Sequence, residues 1–376
     1  MFSRSSGWRL SLLYALSLVL WTGCDQVQQV VNQGESPPTP PADAVAEQQT
    51  SSTPTELPAP PSSMPSEPAA TPAAAPRASA PAPRTPAQII AEFLALPNQE
   101  RTDARFQELT SQPEGLNEIV ELDLSLSPIT EGAFGSIEKL TALRSLNLSR
   151  TGLGNGAIAV LAKLPDLQVL KLEEMPRIDP GVTPALVELK GLRELRVNGT
   201  PVDDDTIAAL GDLPALEQLH LSGVRNLTGK AFSNAVRQKK FRELKVLAFN
   251  GTQFGSYALE NIGLMPQLEE LWAGNADLHD SAFATIGTCK QLRVIRVPGN
   301  SLTPLAFKQF PQLKQLEVLH INGCPAVVDV TFEQLKGLKQ LKELNLEGCN
   351  CSPDAVATLK SKFLKETRIL FAGKEW

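Results

Sequence analysis

From residue 119 onward apolar residues return in one pattern, apolar-x-x-apolar-x-apolar. The copies read IVELDL from Ile119, LRSLNL from Leu143, LQVLKL from Leu167, LRELRV from Leu192 and LEQLHL from Leu216. They continue as LKVLAF from Leu244, LEELWA from Leu268, LRVIRV from Leu292, LEVLHI from Leu316 and LKELNL from Leu341, and a degenerate copy, ETRILF, begins at Glu366. The steps between them are 24, 24, 25, 24, 28, 24, 24, 24, 25 and 25 residues. A fixed period of this size marks one structural unit used repeatedly. The alternation at the end of each copy predicts a short strand. Its two apolar side chains face one way and the residue between them faces the other. No single unit buries its apolar face; stacking buries it, so the ends need caps.

Five residues after the second apolar position of each copy stand Ser127, Thr151, Met175, Thr200, Val224, Thr252, Ala276, Asn300, Cys324 and Cys349. Small polar side chains in that column are expected to satisfy backbone groups of the neighbouring turn, and Met175, Val224 and Ala276 to interrupt the ladder. Helix starts follow, with Thr130, Asp203, Thr228 and Ser352 as N-caps. AIAVLAKL from Ala157 and DTIAALGDL from Asp205 read as short helices. Thr85 and Pro86 before AQIIAEFLAL predict a capping helix whose apolar face is Ile89, Ile90, Phe93 and Leu94. ETRILFAGKEW would close the other end as a last strand. The 28-residue step carries RQKKFRELK from Arg237, expected to lengthen a helix by a turn and add a cationic knob.

These repeats, over about Leu116 to Ala372, resemble leucine-rich repeats of the cysteine-containing, ribonuclease-inhibitor-like kind. The resemblance implies an α/β solenoid of about 10–11 repeats, with a parallel sheet on the concave face and short helices on the convex face. In that family the concave face binds. Its central column here reads Asp123, Asn147, Lys171, Arg196, His220, Ala248, Trp272, Arg296, His320, Asn345 and Leu370. Lys171, Arg196, His220, Trp272, Arg296 and His320 are the candidate ligand-binding residues, because tryptophan beside arginine on a rigid sheet is typical of interface anchors. At about 4.8 Å per strand, Trp272, Arg296 and His320 are expected to touch in series, with a break at Ala248. Glu121, Glu194, Gln218, Glu270 and Glu343 flank the column, and the acids are expected to pair with the arginines across strands.

Catalysis has little support. The three histidines are His220, His279 and His320. His220 and His320 are four strands apart, about 19 Å, too far for one metal or one triad. His279 beside Asp280 reads as a helix-start turn. Cys324 and Cys349 share a ladder position and Cys351 takes the next apolar one, which predicts buried thiols rather than a metal site. Whether Cys324 and Cys349 are bridged stays open. No cofactor and no enzyme activity are expected.

The N-terminal region has a different character. Of the 30 prolines in 376 residues, 15 lie from Pro37 to Pro86, in a Pro/Ala/Ser/Thr/Glu stretch too poor in apolar residues to form a core. Arg4 and Arg9 precede the apolar run LSLLYALSLVL, 11 residues long, which suits a signal-peptide core and not a membrane span. Then comes LWTGCDQ. A small residue directly before Cys24 resembles the lipobox of bacterial lipoproteins, with Trp21 where leucine is usual. That resemblance implies cleavage before Cys24 and acylation there by palmitate-class chains.

The expected organisation is a lipoprotein signal peptide at 1–23, a tether at 24–84, a helical cap at 85–115 and the repeat domain at 116–376. The net charge of −6 argues against a nucleic-acid partner. The expected role is non-catalytic recognition of a protein, or an envelope polymer, by a domain held on a bacterial membrane through Cys24 and facing the periplasm or exterior. The alternative is a structural envelope protein without a discrete ligand.

Overall fold

A computed structural model describes residues 83–376. Cys24, the expected signal peptide and the expected tether up to residue 82 lie outside the described residues. Each repeat supplies one short strand: β1 (Glu121–Asp123), β2 (Ser145–Asn147), β3 (Val169–Lys171), β4 (Glu194–Arg196), β5 (Gln218–His220) and β6 (Val246–Ala248). The series continues with β7 (Glu270–Trp272), β8 (Val294–Arg296), β9 (Val318–His320), β10 (Glu343–Asn345), β11 (Arg368–Phe371) and β12 (Lys374–Glu375). Among the described residues these form one sheet of 12 strands in chain order. β1 to β11 are parallel, and β12 turns back antiparallel to β11.

The middle residue of each parallel strand, from Leu122 to Ile369, is buried, and its two neighbours face the other side. Short α and 3-10 helices return the chain behind the sheet. Because a helix is wider than the strand spacing, the sheet side is the concave one. This is the architecture of a leucine-rich-repeat solenoid.

The polar column satisfies backbone groups, but its Ser and Thr hydroxyls close the turn of their own repeat, and only Asn300, Cys324 and Cys349 reach the neighbouring one. The hydroxyls of Ser127, Thr151, Thr200 and Thr252 donate to Leu124, Leu148, Val197 and Phe249 carbonyls at 2.6 to 2.8 Å. Asn300 goes further. Its Nδ2 donates to the Ala273, Val297 and Pro298 carbonyls, and its Oδ1 accepts from the Ala276 and Leu278 amides. Cys324 and Cys349 donate weakly to the Val297 and Ile321 carbonyls, and both are free thiols. Met175, Val224 and Ala276 are buried and apolar, so the ladder is interrupted there.

A ladder that does join repeat to repeat is made by aspartates. An aspartate in one repeat accepts from both the amide and the hydroxyl of the cap residue in the next: Asp103 from Thr130, Asp204 from Thr228, Asp280 from Thr303 and Asp329 from Ser352. Of the expected N-caps, Thr130 keeps the position without the side-chain bond and Thr228 is displaced. Thr130 stands at the N-cap position of Glu131–Phe134, but its side chain accepts no amide of that helix and its hydroxyl donates to Asp103 instead. The helix Lys230–Arg237 is capped by Gly229, one residue beyond Thr228. Asp203 and Ser352 do cap their own helices.

The ends close as separate small structures. Thr85 and Gln88 form a reciprocal capping box on the helix Pro86–Ala95. Phe93 packs on Phe106 and Phe106 on Phe134, joining cap to first repeat; Leu94, expected in the face, is exposed. Arg101 is buried over the Phe93 ring and donates to the Leu94, Leu96 and Asp123 carbonyls, covering the open edge at β1. At the other end the expected single strand is a hairpin. Ala372 and Gly373 turn it at φ 53° and 70°, and the Trp376 amide donates to Ile369 at 2.8 Å.

The long repeat also differs from expectation. Its helix, Lys230–Arg237, is 8 residues against 7 for Asp204–Leu210 in the repeat before. The extra chain goes into a left-handed turn with Lys239 at φ 64° and Phe241 at φ 58°. Phe241 is folded into the core 4.8 Å from the Phe232 ring, and Lys240 is tied to Asp212 at 2.8 Å. The cationic segment is therefore anchored through its aromatic residue.

Candidate functional site

Strand register sets the concave row. Pairing runs Lys171↔Arg196↔His220↔Ala248↔Trp272↔Arg296↔His320↔Asn345, so the six candidate residues stand in one line on the sheet. Within that line they form three clusters, not one series.

The first cluster is Arg196. Its Nε lies 2.6 Å from Glu194, two residues back on its own strand, and Nη1 is 3.9 Å from Glu173. The acid expected to pair across strands pairs along the strand instead, because residues i and i+2 share a face. Lys171 stands beside it on β3.

The second cluster centres on Trp272. The Arg296 guanidinium sits 5.0 Å over its ring, a cation–π arrangement. Its indole Nε1 donates to Glu270 at 3.0 Å, again along one strand. The His220 ring meets the indole edge-to-face with centroids 6.4 Å apart and planes at 89°. The expected break at Ala248 is thus a join: with only a methyl on β6, the rings of β5 and β7 reach each other. His220 is 5% exposed and its Nε2 is a buried nitrogen without a hydrogen-bond partner among the described residues. Burial pushes its pKa down to about 3, with the Arg196 and Lys171 charges adding to the fall, so the ring is neutral at pH 7.

The third cluster holds His320. It does not continue the Trp272–Arg296 stack. Its Nε2 is 2.7 Å from Glu343 on β10, and Glu343 is also 3.7 Å from Arg368 on β11. Burial, then the Arg296 charge, lowers the His320 pKa against the opposing pull of Glu343.

The remaining chemistry-bearing residues lie elsewhere. His279 is 3.5 Å from Asp277, not bonded to Asp280, whose carboxylate is taken by Thr303. Burial pushes the thiols of Cys289 and Cys351 up to about 12 and that of Cys349 to about 11, far from thiolate reactivity at neutral pH. Among the described residues no helix is long and apolar enough to cross a membrane.

One row escaped the sequence reading. The residue after the leading leucine alternates in sign along the lower edge of the sheet: Arg193, Glu217, Lys245, Glu269, Arg293, Glu317, Lys342. Glu217 bridges Arg193 and Lys245 at 2.5 and 3.0 Å, and Glu317 bridges Arg293 and Lys342 at 3.0 and 2.8 Å. The alternation was visible in the aligned repeats, one column before the strand.

Neither a protein-family model nor a curated protein sequence matches the chain. Solved structures with a similar course do. An internalin (InlF) from Listeria monocytogenes superposes with TM-score 0.48 at 16% identity, covering 75% of this chain and 96% of that one. A TDR receptor gives TM-score 0.46 at 19% identity, over 68% of this chain and 43% of that one. The plant peptide hormone receptor RGFR1, solved in complex with RGF2, gives TM-score 0.45 at 13% identity, over 71% and 48%. The fold is identified by its own register and ladders, not by these likenesses.

Proposed function

We propose that this chain is a non-catalytic recognition module that binds a protein ligand on the concave face of its repeats. The observation that carries the reading is the Trp272 cluster. An indole stacked by Arg296, oriented by Glu270 and abutted by His220 stands at the middle of the row. Large aromatic and arginine side chains at the centre of a rigid surface are the groups that dominate interface energies. The ladders on both sides hold the strands, so little ordering cost falls on binding. Lys171, Arg196 and His320 flank that centre as secondary contacts.

The test is capture of ligand from a membrane extract by the wild-type chain and by Trp272→Ala/Arg296→Ala. Loss of capture with cooperative melting retained supports the reading; equal capture overturns it.

We also propose that residues 1–23 are a lipoprotein signal peptide, that Cys24 is lipidated, and that 24–84 tether the repeats to a bacterial envelope membrane. The support is the order of apolar run, small residue, cysteine and proline-rich stretch. Mass spectrometry of the mature N-terminus is expected to find Cys24 first and acylated. An unmodified Cys24, or a start elsewhere, makes the protein freely secreted.

A further inference from the structure

The row of concave side chains has one missing member and one misplaced atom, and they are neighbours. Ala248 contributes only a methyl, and it is 1% exposed because the His220 and Trp272 rings lean over it. Their strands are two spacings apart, about 9.6 Å, and only this gap lets the centroids come to 6.4 Å. One atom of the His220 ring, Nε2, is buried and without a hydrogen-bond partner among the described residues. An unpaired buried polar atom costs stability, and a phenylalanine of similar shape would not carry that cost. A histidine kept there is better suited to a bound state than to the free one. Two cations approach from the other side, Arg196 on β4 and Lys171 on β3. Arg196 is engaged by Glu194 and Glu173, whereas no ion pair joins Lys171 to a carboxylate of the described residues.

We propose that the notch over Ala248 is a carboxylate subsite. An aspartate or glutamate side chain of the protein ligand enters between the His220 and Trp272 rings and accepts a hydrogen bond from His220 Nε2–H, while Lys171 and Arg196 supply the positive field. This rests on the concave-face reading above. The indole is the movable wall. It is held by one hydrogen bond to Glu270 and by the Arg296 stack, and a rotation about its side-chain torsions opens the notch without moving β7. The ligand's methylene stem then packs on the indole, and its charge reaches His220 Nε2. A ligand ammonium is disfavoured by both cations, and a neutral amide lacks the attraction to them.

The test uses the full chain, labelled with nitrogen-15, and two probes, N-acetyl-glutamate methylamide and its glutamine counterpart. The acidic probe is expected to move the His220 imidazole and Trp272 indole signals together and saturably, at least tenfold more tightly than the amide. His220→Phe is expected to melt at a higher temperature than wild type and to lose the Trp272 response. Equal response to both probes, no response up to the solubility of the acidic probe, or an unchanged Trp272 response in His220→Phe each overturns the subsite. Those failures leave the concave-face reading standing if Trp272→Ala/Arg296→Ala still abolishes capture from membrane extract. If that double variant captures as well as wild type, the reading itself fails.

Discussion

Asn300 joins five backbone groups of two repeats and is 4% exposed. Replacing it by alanine leaves the Ala276 and Leu278 amides without that acceptor. Asn300→Ala is therefore expected to cost about 3 kcal/mol, against about 1 kcal/mol for Thr200→Val, which gives up a single hydroxyl donor; chemical denaturation checks both. His220 gives a signed pH dependence. Its folded pKa of about 3 lies below the value near 6.5 of an unfolded histidine. Between these values the unfolded chain binds a proton that the folded chain does not. The contribution is thus fully present above about pH 6.5 and is lost as pH falls, by at most about 1.4 kcal/mol per pH unit. His320 acts in the same direction. Melting temperatures measured from pH 7 to pH 5 are expected to fall less steeply in His220→Phe than in wild type; parallel curves would contradict this. The row of candidate residues was legible in the sequence because strand register follows from the repeat. The meeting of His220 with Trp272 was not, because it depends on how far two side chains lean over a third, shorter one.

Strands were the most legible elements, since leucine periodicity decides both their place and their buried face. The regions between them were harder. The Asp-to-Thr ladder joins residues 23 to 27 positions apart, so a local reading assigns Thr130 to its own helix and misses Asp103. The long repeat was misread for a related reason. Extra residues after a helix suggest more helix, yet Lys239 and Phe241 take positive φ, a conformation few side chains adopt without tertiary support. That support is the aromatic group of Phe232, Phe241, Phe249 and Phe254, with centroids 4.8 to 5.3 Å apart along the chain of contacts. Phe241→Ala is expected to cost about 3–5 kcal/mol. Gly229→Ala is expected to be similarly damaging, because at φ 75° an added Cβ would lie 2.3 Å from the Phe254 carbonyl oxygen. Urea unfolding of the two variants checks the pair; a cost under about 1 kcal/mol in both would mean that the turn repacks freely.

At the scale of the molecule, each repeat contacts mainly its neighbours, so stability accumulates from one interface to the next and depends on closed ends. Arg101 and the β11–β12 hairpin provide those ends. The proposed tether, at about 3.1 Å per residue, would let a lipid-anchored recognition domain reach on the order of 190 Å if fully extended in the polyproline form. Everything in this functional account turns on the concave centre. The most direct measurement is ligand capture from membrane extract by wild type and by Trp272→Ala/Arg296→Ala, with thermal melts of both. Loss of two central anchors is expected to weaken capture at least about tenfold while a single cooperative melt is retained. Undiminished capture by the folded double variant would contradict the account.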